Sequence, residues 1–389
     1  MDNSSFNPEN LKQAAKNYCS FIDSTRKGEY DFSITPRAEP TSYARCFAVF
    51  GYGLLKINID DSADGLARSM VRDLDALKLK REKICSNLAS DKPYLQLLTF
   101  TLSALTILKK NEEFTLLNHI EKFELKDIEF NLKNAGVFEC RPSSGNQAMF
   151  TAILLLYADR LGINTKSSIA LWQDLHRNNL NKFGFWGNCE SMSHLQFQNG
   201  YHQYEILEYL DTSEVPWITA ADNVARLADI QGHFAPYPGG GGCYDYDAVF
   251  ILTGHKLSIK KHSALLNLTA SSIIAEQNND GGFCESKSIR PRSLSNLIKS
   301  INHVSNSNGI ARKERLRQAV TLLRPKHDRL QTHWSNYSRE WGESDLWDSW
   351  FRMLTLARID SAFNPENSRT WGFINFPGIG FHPSFRDER

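Results

Sequence analysis

The feature that most restricts how this chain can fold is a short text that returns at a fixed interval. A glycine with an aromatic two residues on ends a helical stretch at Gly136-Val137-Phe138, Gly184-Phe185-Trp186, Gly232-His233-Phe234 and Gly281-Gly282-Phe283. These glycines stand 48, 48 and 49 residues apart. A looser copy, REWGESDLW, puts Gly342 one longer repeat further on. Glycine takes the left-handed backbone that ends a helix without steric cost, and the aromatic can pack back onto the helices just left. One such pair is an ordinary helix terminus, but four at a constant interval define a unit. Two helices per unit make it a helical-hairpin repeat.

Between the turns, segments such as FTAILLLYA and DAVFILTG are apolar almost throughout, whereas Ala63 to Cys85 carries its charges on one face. A helix apolar all round is buried on every side. The hairpins are therefore expected to form two layers, inner helices wrapped by amphipathic outer ones. No alternating strand of five or more residues is found. The expected fold is all-α: an α/α toroid of five to six hairpins with a central cavity. It is expected to span residues 39–389 as one domain, behind an N-terminal helical extension of residues 1–38. The apolar, turn-rich tail WGFINFPGIGFHPSF is expected to fold back over the ring as a cap.

Composition narrows the function. The 389 residues are 41% hydrophobic, enough for a large core. Lysine and arginine number 45 against 44 acids, with no evident basic run, which argues against nucleic acid as the main partner. No transmembrane run and no secretory leader are read. The seven cysteines are scattered, without CxxC, so neither a disulfide framework nor a zinc ribbon is expected and a reducing, cytoplasmic setting fits. GxGxxG, P-loop and GxSxG motifs are absent from the sequence. Asp60-Asp61-Ser62-Ala63-Asp64 is the nearest approach to a DDxxD cluster and reads as a helix start.

The third repeat carries the most chemistry. Gly239 to Gly242 deliver Cys243, Asp245 and Asp247 to the first turns of an apolar helix. Carboxylates are favoured at a helix N-terminus, so capping and a catalytic or metal-binding corner are both open readings. An acid in an apolar pocket beside a second carboxylate is held neutral and can act as a general acid. The glycines can let backbone approach a ligand or move as a lid. Aligning the repeats by their turns brings Asn146, Gln147, His194, Cys243 to Asp247 and Arg290 to Arg292 to equivalent positions, with Asp345 and Trp347 in the looser copy. His194, Gln198, His202 and Glu205 share one helical face, readable as a solvated face or as an acid/base couple of His202 with Glu205. The candidate catalytic residues are Asp245, Asp247, His202 and Glu205. Candidate substrate-binding residues are His194, Gln198, Tyr244, Gln147, Arg292 and Trp347. Trp347, Trp350 and Phe351 read either as core or as the lining of a cavity that holds an apolar or cationic species.

QNNDGGF, at Gln277 to Phe283, resembles the Q-x-x-D-G-G-F/W repeat of squalene and oxidosqualene cyclases and of protein prenyltransferase β subunits. That resemblance implies the toroid, with key residues on an inner helix soon after each turn. Laid on the D-x-D-D-T-A-V motif of class II cyclases, CYDYDAV matches at Ala248 and Val249. It places Asp245 at the proton-donating aspartate, while Cys243, Tyr246 and Asp247 replace the first Asp, the third Asp and the Thr. Laid on the prenyltransferase D-x-C-Y zinc motif, the order is inverted as Cys243-x-Asp245. With His303 as a later ligand, this implies a possible zinc cofactor. The leading expectation is a biosynthetic enzyme with an aromatic-lined cavity and acid-initiated chemistry on an isoprenoid or similar apolar small molecule. Two other readings stay open: a carbohydrate-active hydrolase or lyase on an (α/α)6 barrel, and a non-catalytic helical-repeat scaffold.

Overall fold

A computed structural model describes residues 7–378, apart from 86–87, 89–90, 121–126, 188–189 and 212–214. Outer and inner helices alternate along the chain. The first hairpin is α1 (Pro8–Ser24) and α2 (Ser42–Leu54), and the second is α3 (Asp60–Glu82) and α4 (Lys92–Ile107). Two short helices, α5 (Leu117–Ile120) and α6 (Ile128–Asn134), precede α7 (Ser144–Arg160). Then come α8 (Lys166–Asn178) with α9 (His194–Tyr209), and α10 (Trp217–Ala225) with α11 (Gly242–Leu252). The last hairpin begins with α12 (Lys256–Lys261) and α13 (Ser263–Ala275). It reaches its inner helix, α16 (Leu346–Phe363), only after an excursion through α14 (Leu294–Ser305) and α15 (Gly309–Leu322).

The inner helices pack in the order α2, α4, α7, α9, α11, α16, and α16 packs back on α2. The ring is thus closed, with six hairpins. Sequence explains the division of layers. In α4 every residue from Tyr94 to Leu105 is buried, and Thr99 returns its hydroxyl to the Leu95 carbonyl at 3.0 Å, so its polar atom is satisfied inside the apolar layer. In α3 the buried residues Ala63, Leu66, Ala67, Met70 and Leu74 recur at three- and four-residue steps, leaving the charges outside.

The repeating turns work as the sequence implies. Gly136, Gly184, Gly232 and Gly281 have φ of +67, +79, +82 and +87°. The later three also lie against the next outer helix. A β-carbon would meet Ala220 of α10 at Gly184, Thr269 of α13 at Gly232, and the Asn17 carbonyl of α1 at Gly281, the last at 2.2 Å. The fourth turn therefore seats on α1, which also packs against α2, α13 and α16. This differs from the expected extension of residues 1–38: α1 is the outer helix of the first hairpin and part of the closed ring.

Gly342 is not a fifth copy of the turn. It follows a two-stranded antiparallel ladder, β1 (Arg329–Leu330) and β2 (Arg339–Glu340), with Arg329 opposite Glu340. The true partner of the Gly281 turn is α16: Phe283 and Asp345 form a bridge, and Phe283 N donates to Ser349 Oγ at 2.8 Å. Residues 285–340 are inserted between that turn and its inner helix. Beyond α16 the tail crosses the C-terminal ends of the inner helices. Gly372 lies against the Gly53 carbonyl, Trp371 Nε1 donates to Asp360 Oδ2 at 2.9 Å, and Phe376 is buried.

Candidate active site

On the inner helices, Asn146, Gln147, Gln198, His202, Cys243, Tyr244 and Trp347 are half-buried. Outer helices cover the opposite faces, so these side chains border the lumen, at the end where the inner helices begin. One turn deeper on the same helical faces lie Asp247, below Cys243, and Phe351, below Trp347. Both are buried. The other end is closed by the tail, where Gly378 N donates to Glu205 Oε1 at 2.8 Å.

Asp245 and Asp247, two residues apart, face different surroundings. Asp245 is fully buried in an ion cluster. Its Oδ2 lies 2.8 Å from His233 Nδ1 and bonds the Arg352 guanidinium of α16, while Oδ1 accepts from Phe234 N at 2.9 Å. Arg352 also donates to the Gly239 carbonyl at 3.1 Å. Burial alone would raise the Asp245 pKa, but His233 and Arg352 outweigh it and hold the carboxyl below its ordinary value. Burial likewise opposes charge on His233. Asp245 and then Glu276 overcome that and raise the imidazole to about 10. Asp245 is therefore a carboxylate at neutral pH, which departs from the protonated acid expected at this position.

The tetraglycine wraps this cluster. Gly239 and Gly240 have φ of +83 and +82°. A β-carbon on Gly240 would lie 2.7 Å from Asp245 Oδ2 and 2.9 Å from both Arg352 and His233. On Gly242 it would lie 3.0 Å from Asp348 of α16. The glycines are needed for close packing around buried charges, so the lid reading is replaced by a clamp.

Asp247 is held the other way. Burial, then the nearby charges of Glu205 and Asp245, raise its pKa well above the ordinary carboxyl value. Its Oδ1 is buried without a hydrogen-bond partner among the described residues. Glu205 Oε2 accepts from the Tyr201 hydroxyl at 3.0 Å. His202 faces elsewhere: its Nε2 lies 2.9 Å from Asn146 Nδ2, and burial with Lys92 nearby lowers it to about 3, a neutral imidazole. The expected couple of His202 with Glu205 is thus not formed: His202 meets Asn146 of α7, whereas Glu205 meets Tyr201 of its own helix and Gly378 of the tail.

The remaining candidates divide. Trp347 belongs to an aromatic wall, 4.0 Å from Trp334, 4.5 Å from Phe351 and 5.2 Å from Phe47 between ring centres. Tyr244 packs its ring between Phe197 and Tyr237. Gln147 and Gln198 border the lumen. His194 is taken up by Glu314 of α15, whose carboxylate accepts from the His194 and Leu195 backbone N–H groups at 2.7 and 3.3 Å and meets His194 Nδ1 at 3.0 Å. It caps α9 rather than facing a ligand. Arg292 is exposed on the excursion and pairs with Asp328, because the inner helix equivalent to α11 is α16 and not α14.

The zinc set is likewise not assembled. Asp245 is engaged as described, and His303 sits 3.9 Å from Asp229. Among the described residues no group of three His, Cys, Asp or Glu is placed to hold a metal.

Several site residues were not singled out from the sequence. Arg352 and Arg358 are fully buried within an otherwise apolar helix run, WFRMLTLARI, which itself signals a buried acid partner. Arg358 lies 3.8 Å over the Phe250 ring and donates to Thr253 Oγ1 at 2.8 Å. His233 is the ionisable middle residue of one repeating turn, where the other three carry valine, phenylalanine or glycine. A second acidic group closes the corner: Arg339 meets Asp345 at 2.5 Å and Asp348 at 3.0 Å, and Tyr237 donates to Glu285. Burial, then Asp348, push Glu285 up to about 7, against the pull of Arg339.

No family model and no curated protein matches the sequence. Among solved structures the chain is similar to a type II terpene cyclase from Scytonema, solved in complex with geranylgeranyl dihydroxybenzoate, its substrate. Identity is 11% and the TM-score 0.47, over 93% of this chain and 98% of that one.

Proposed function

We propose that the lumen is the active site of an enzyme that protonates an unsaturated, apolar small molecule of isoprenoid type, with Asp247 as the proton donor. The observation that carries this reading is the Asp247 carboxyl: buried, held neutral, with one oxygen unbonded, one turn beneath the half-exposed Cys243. A neutral carboxyl retains the proton that alkene protonation needs. The O–H bond breaks as a C–H bond forms, leaving a carboxylate on Asp247 and a cation on the substrate. Trp347, Trp334, Phe351 and Phe47 offer π faces to such a cation. In this reading Asp245 is a positioning residue: through Arg352 it locks the start of α11 to α16. His202, Gln198 and Gln147 border the lumen as substrate contacts.

The test is turnover of linear polyenes by the purified chain in D2O. The expected product carries one solvent deuterium on carbon, and Asp247→Asn forms at least about 100-fold less while remaining folded. Turnover without solvent deuterium, or cleavage of a glycan in place of polyene turnover, would overturn the proposal.

A further inference from the structure

The excursion through α14 and α15 has a surface unlike the rest of the molecule. Of the 17 exposed large hydrophobic side chains among the described residues, seven lie on this one hairpin. Leu294, Leu297, Ile298 and Ile301 follow the helical spacing i, i+3, i+4, i+7 on α14. Leu316, Val320 and Leu323 continue the surface along α15 and just past its end. Between the helices lies an open groove of about 410 Å³, floored by Pro236, Tyr237 and Ile289. Exposed apolar patches of this kind mark interaction surfaces.

The charge of the same segment names the partner. Residues 286–329 hold eleven lysines and arginines against two acids, in a chain whose formal net charge is +1. The even mixture of charges across the whole sequence hides this. Some of these cations are used internally: Arg315 is buried and donates to the His303 carbonyl at 2.9 Å, and Arg290 and Arg292 share Asp328. Lys299, Arg312, Lys313, Arg317, Arg324 and Lys326 remain exposed. On α15, Arg312 falls to one side of the Leu316–Val320–Leu323 stripe, and Lys313 and Arg317 to the other. An apolar stripe flanked by cations that can reach outward is how a helix lies in the boundary between lipid headgroups and acyl chains. The cations on both flanks of one apolar stripe match a boundary that is anionic on either side of an apolar interior.

We propose that the α14–α15 hairpin docks the protein on an anionic lipid bilayer, with Ile298, Ile301 and Leu316 entering the acyl region and Arg312, Lys313 and Arg317 meeting the headgroups. No described helix is long and apolar enough to cross a membrane, so the attachment is peripheral. The hairpin is fixed to the ring mouth by Glu314, which caps α9. Tyr237, on the groove floor, also touches Tyr244 at the lumen.

The experiment is flotation of the full chain with vesicles of phosphatidylcholine alone and with added phosphatidylglycerol. Binding is expected to the anionic vesicles and to weaken as salt is raised. Ile298→Glu with Ile301→Glu should lower the partition coefficient about 10-fold or more, from the apolar burial lost. Lys313→Glu with Arg317→Glu should lower it on anionic vesicles alone. All four positions are exposed, and an unchanged thermal unfolding midpoint will show that the variants fold. Absence of binding to anionic vesicles, or binding unchanged in both variants, would overturn the proposal. So would a lipid-free dimer in sedimentation velocity that Ile298→Glu dissolves, which would make the hairpin an interface between two copies of this chain.

Discussion

Asp245 and Asp247 stand on the same helix, two residues apart, and the protein treats them in opposite ways. Asp245 meets Arg352 and His233 and is held as a carboxylate; Asp247 meets Glu205 and apolar walls and is held as an acid. Neither helix position nor burial separates them, since both are buried. The difference is the charge that the neighbouring helix presents, an arginine from α16 on one side and a glutamate from α9 on the other. One carboxyl is thereby committed to an ion cluster and the other is the proton donor we propose, and variants can pull the two roles apart.

The largest effect is expected on the structural side. Asp245→Asn leaves Arg352 and His233 buried without their nearest counter-ion, with Glu276, at 3.6 and 3.3 Å, left to balance them. Breaking a buried pair from one side costs about 3–5 kcal/mol. Urea denaturation should show a loss of that order, with activity falling only in step with the folded fraction. Asp247→Asn should do the reverse. Product formation is expected to fall about 100- to 10,000-fold, the usual worth of a general acid. Stability should be retained, and the pH dependence gives its sign. The folded pKa of Asp247 is raised, so its favourable contribution is complete below the unfolded value near 3.8 and is lost as pH rises. The asparagine variant should therefore gain on the wild type as pH increases from about 4. A stability loss in Asp247→Asn matching that of Asp245→Asn would erase the contrast.

His233 sharpens it further. Its folded pKa of about 10 exceeds the ordinary 6.5, so its stabilisation is full below 6.5 and is lost as pH rises towards 10. Wild-type stability is expected to fall across that window in a pH series of denaturation curves, and His233→Asn should flatten that fall. Gly240→Ala tests the clamp. The residue has φ of +82° and no room beside Asp245 Oδ2. A cost of about 1–3 kcal/mol is expected from overpacking with left-handed strain. An unchanged unfolding midpoint would argue for a loose loop.

How far the sequence reached follows from the same contacts. The turns at Gly136, Gly184, Gly232 and Gly281 were legible because each needs a positive φ and repeats at one interval. The first two hairpins lack such a turn. The link from α1 to α2 is instead held by bridges of Arg26 with Phe32 and Ser33 with Pro40, so α1 read as an appendage. The α14–α15 excursion escaped because α14 has the same apolar spacing as a ring helix, and spacing alone does not say whether the face is covered. Of the stretch Cys243 to Asp247 that position in the repeat singles out, Cys243 and Tyr244 are half-buried, while Asp245 is taken into the buried ion cluster. Which acid keeps its proton was not legible, since it depends on Arg352, more than a hundred residues away. Two arginines inside an apolar helix were nonetheless a readable request for a buried acid.

The finest test acts on the neighbour of the poised acid. Burial, and after it the charge of Glu205, raises the Asp247 pKa. Glu205→Gln removes the charge and keeps one of the two acceptors, a carbonyl for either the Tyr201 hydroxyl or Gly378 N. Asp247 should then lose its proton at lower pH, and the alkaline limb of the pH–rate profile should move down, by about one unit for a single nearby charge. The rate on the acidic plateau should change little, because the donor is still protonated there. If the limb stays fixed while the plateau falls, Glu205 touches the substrate itself, and the division of labour on α11 extends to α9.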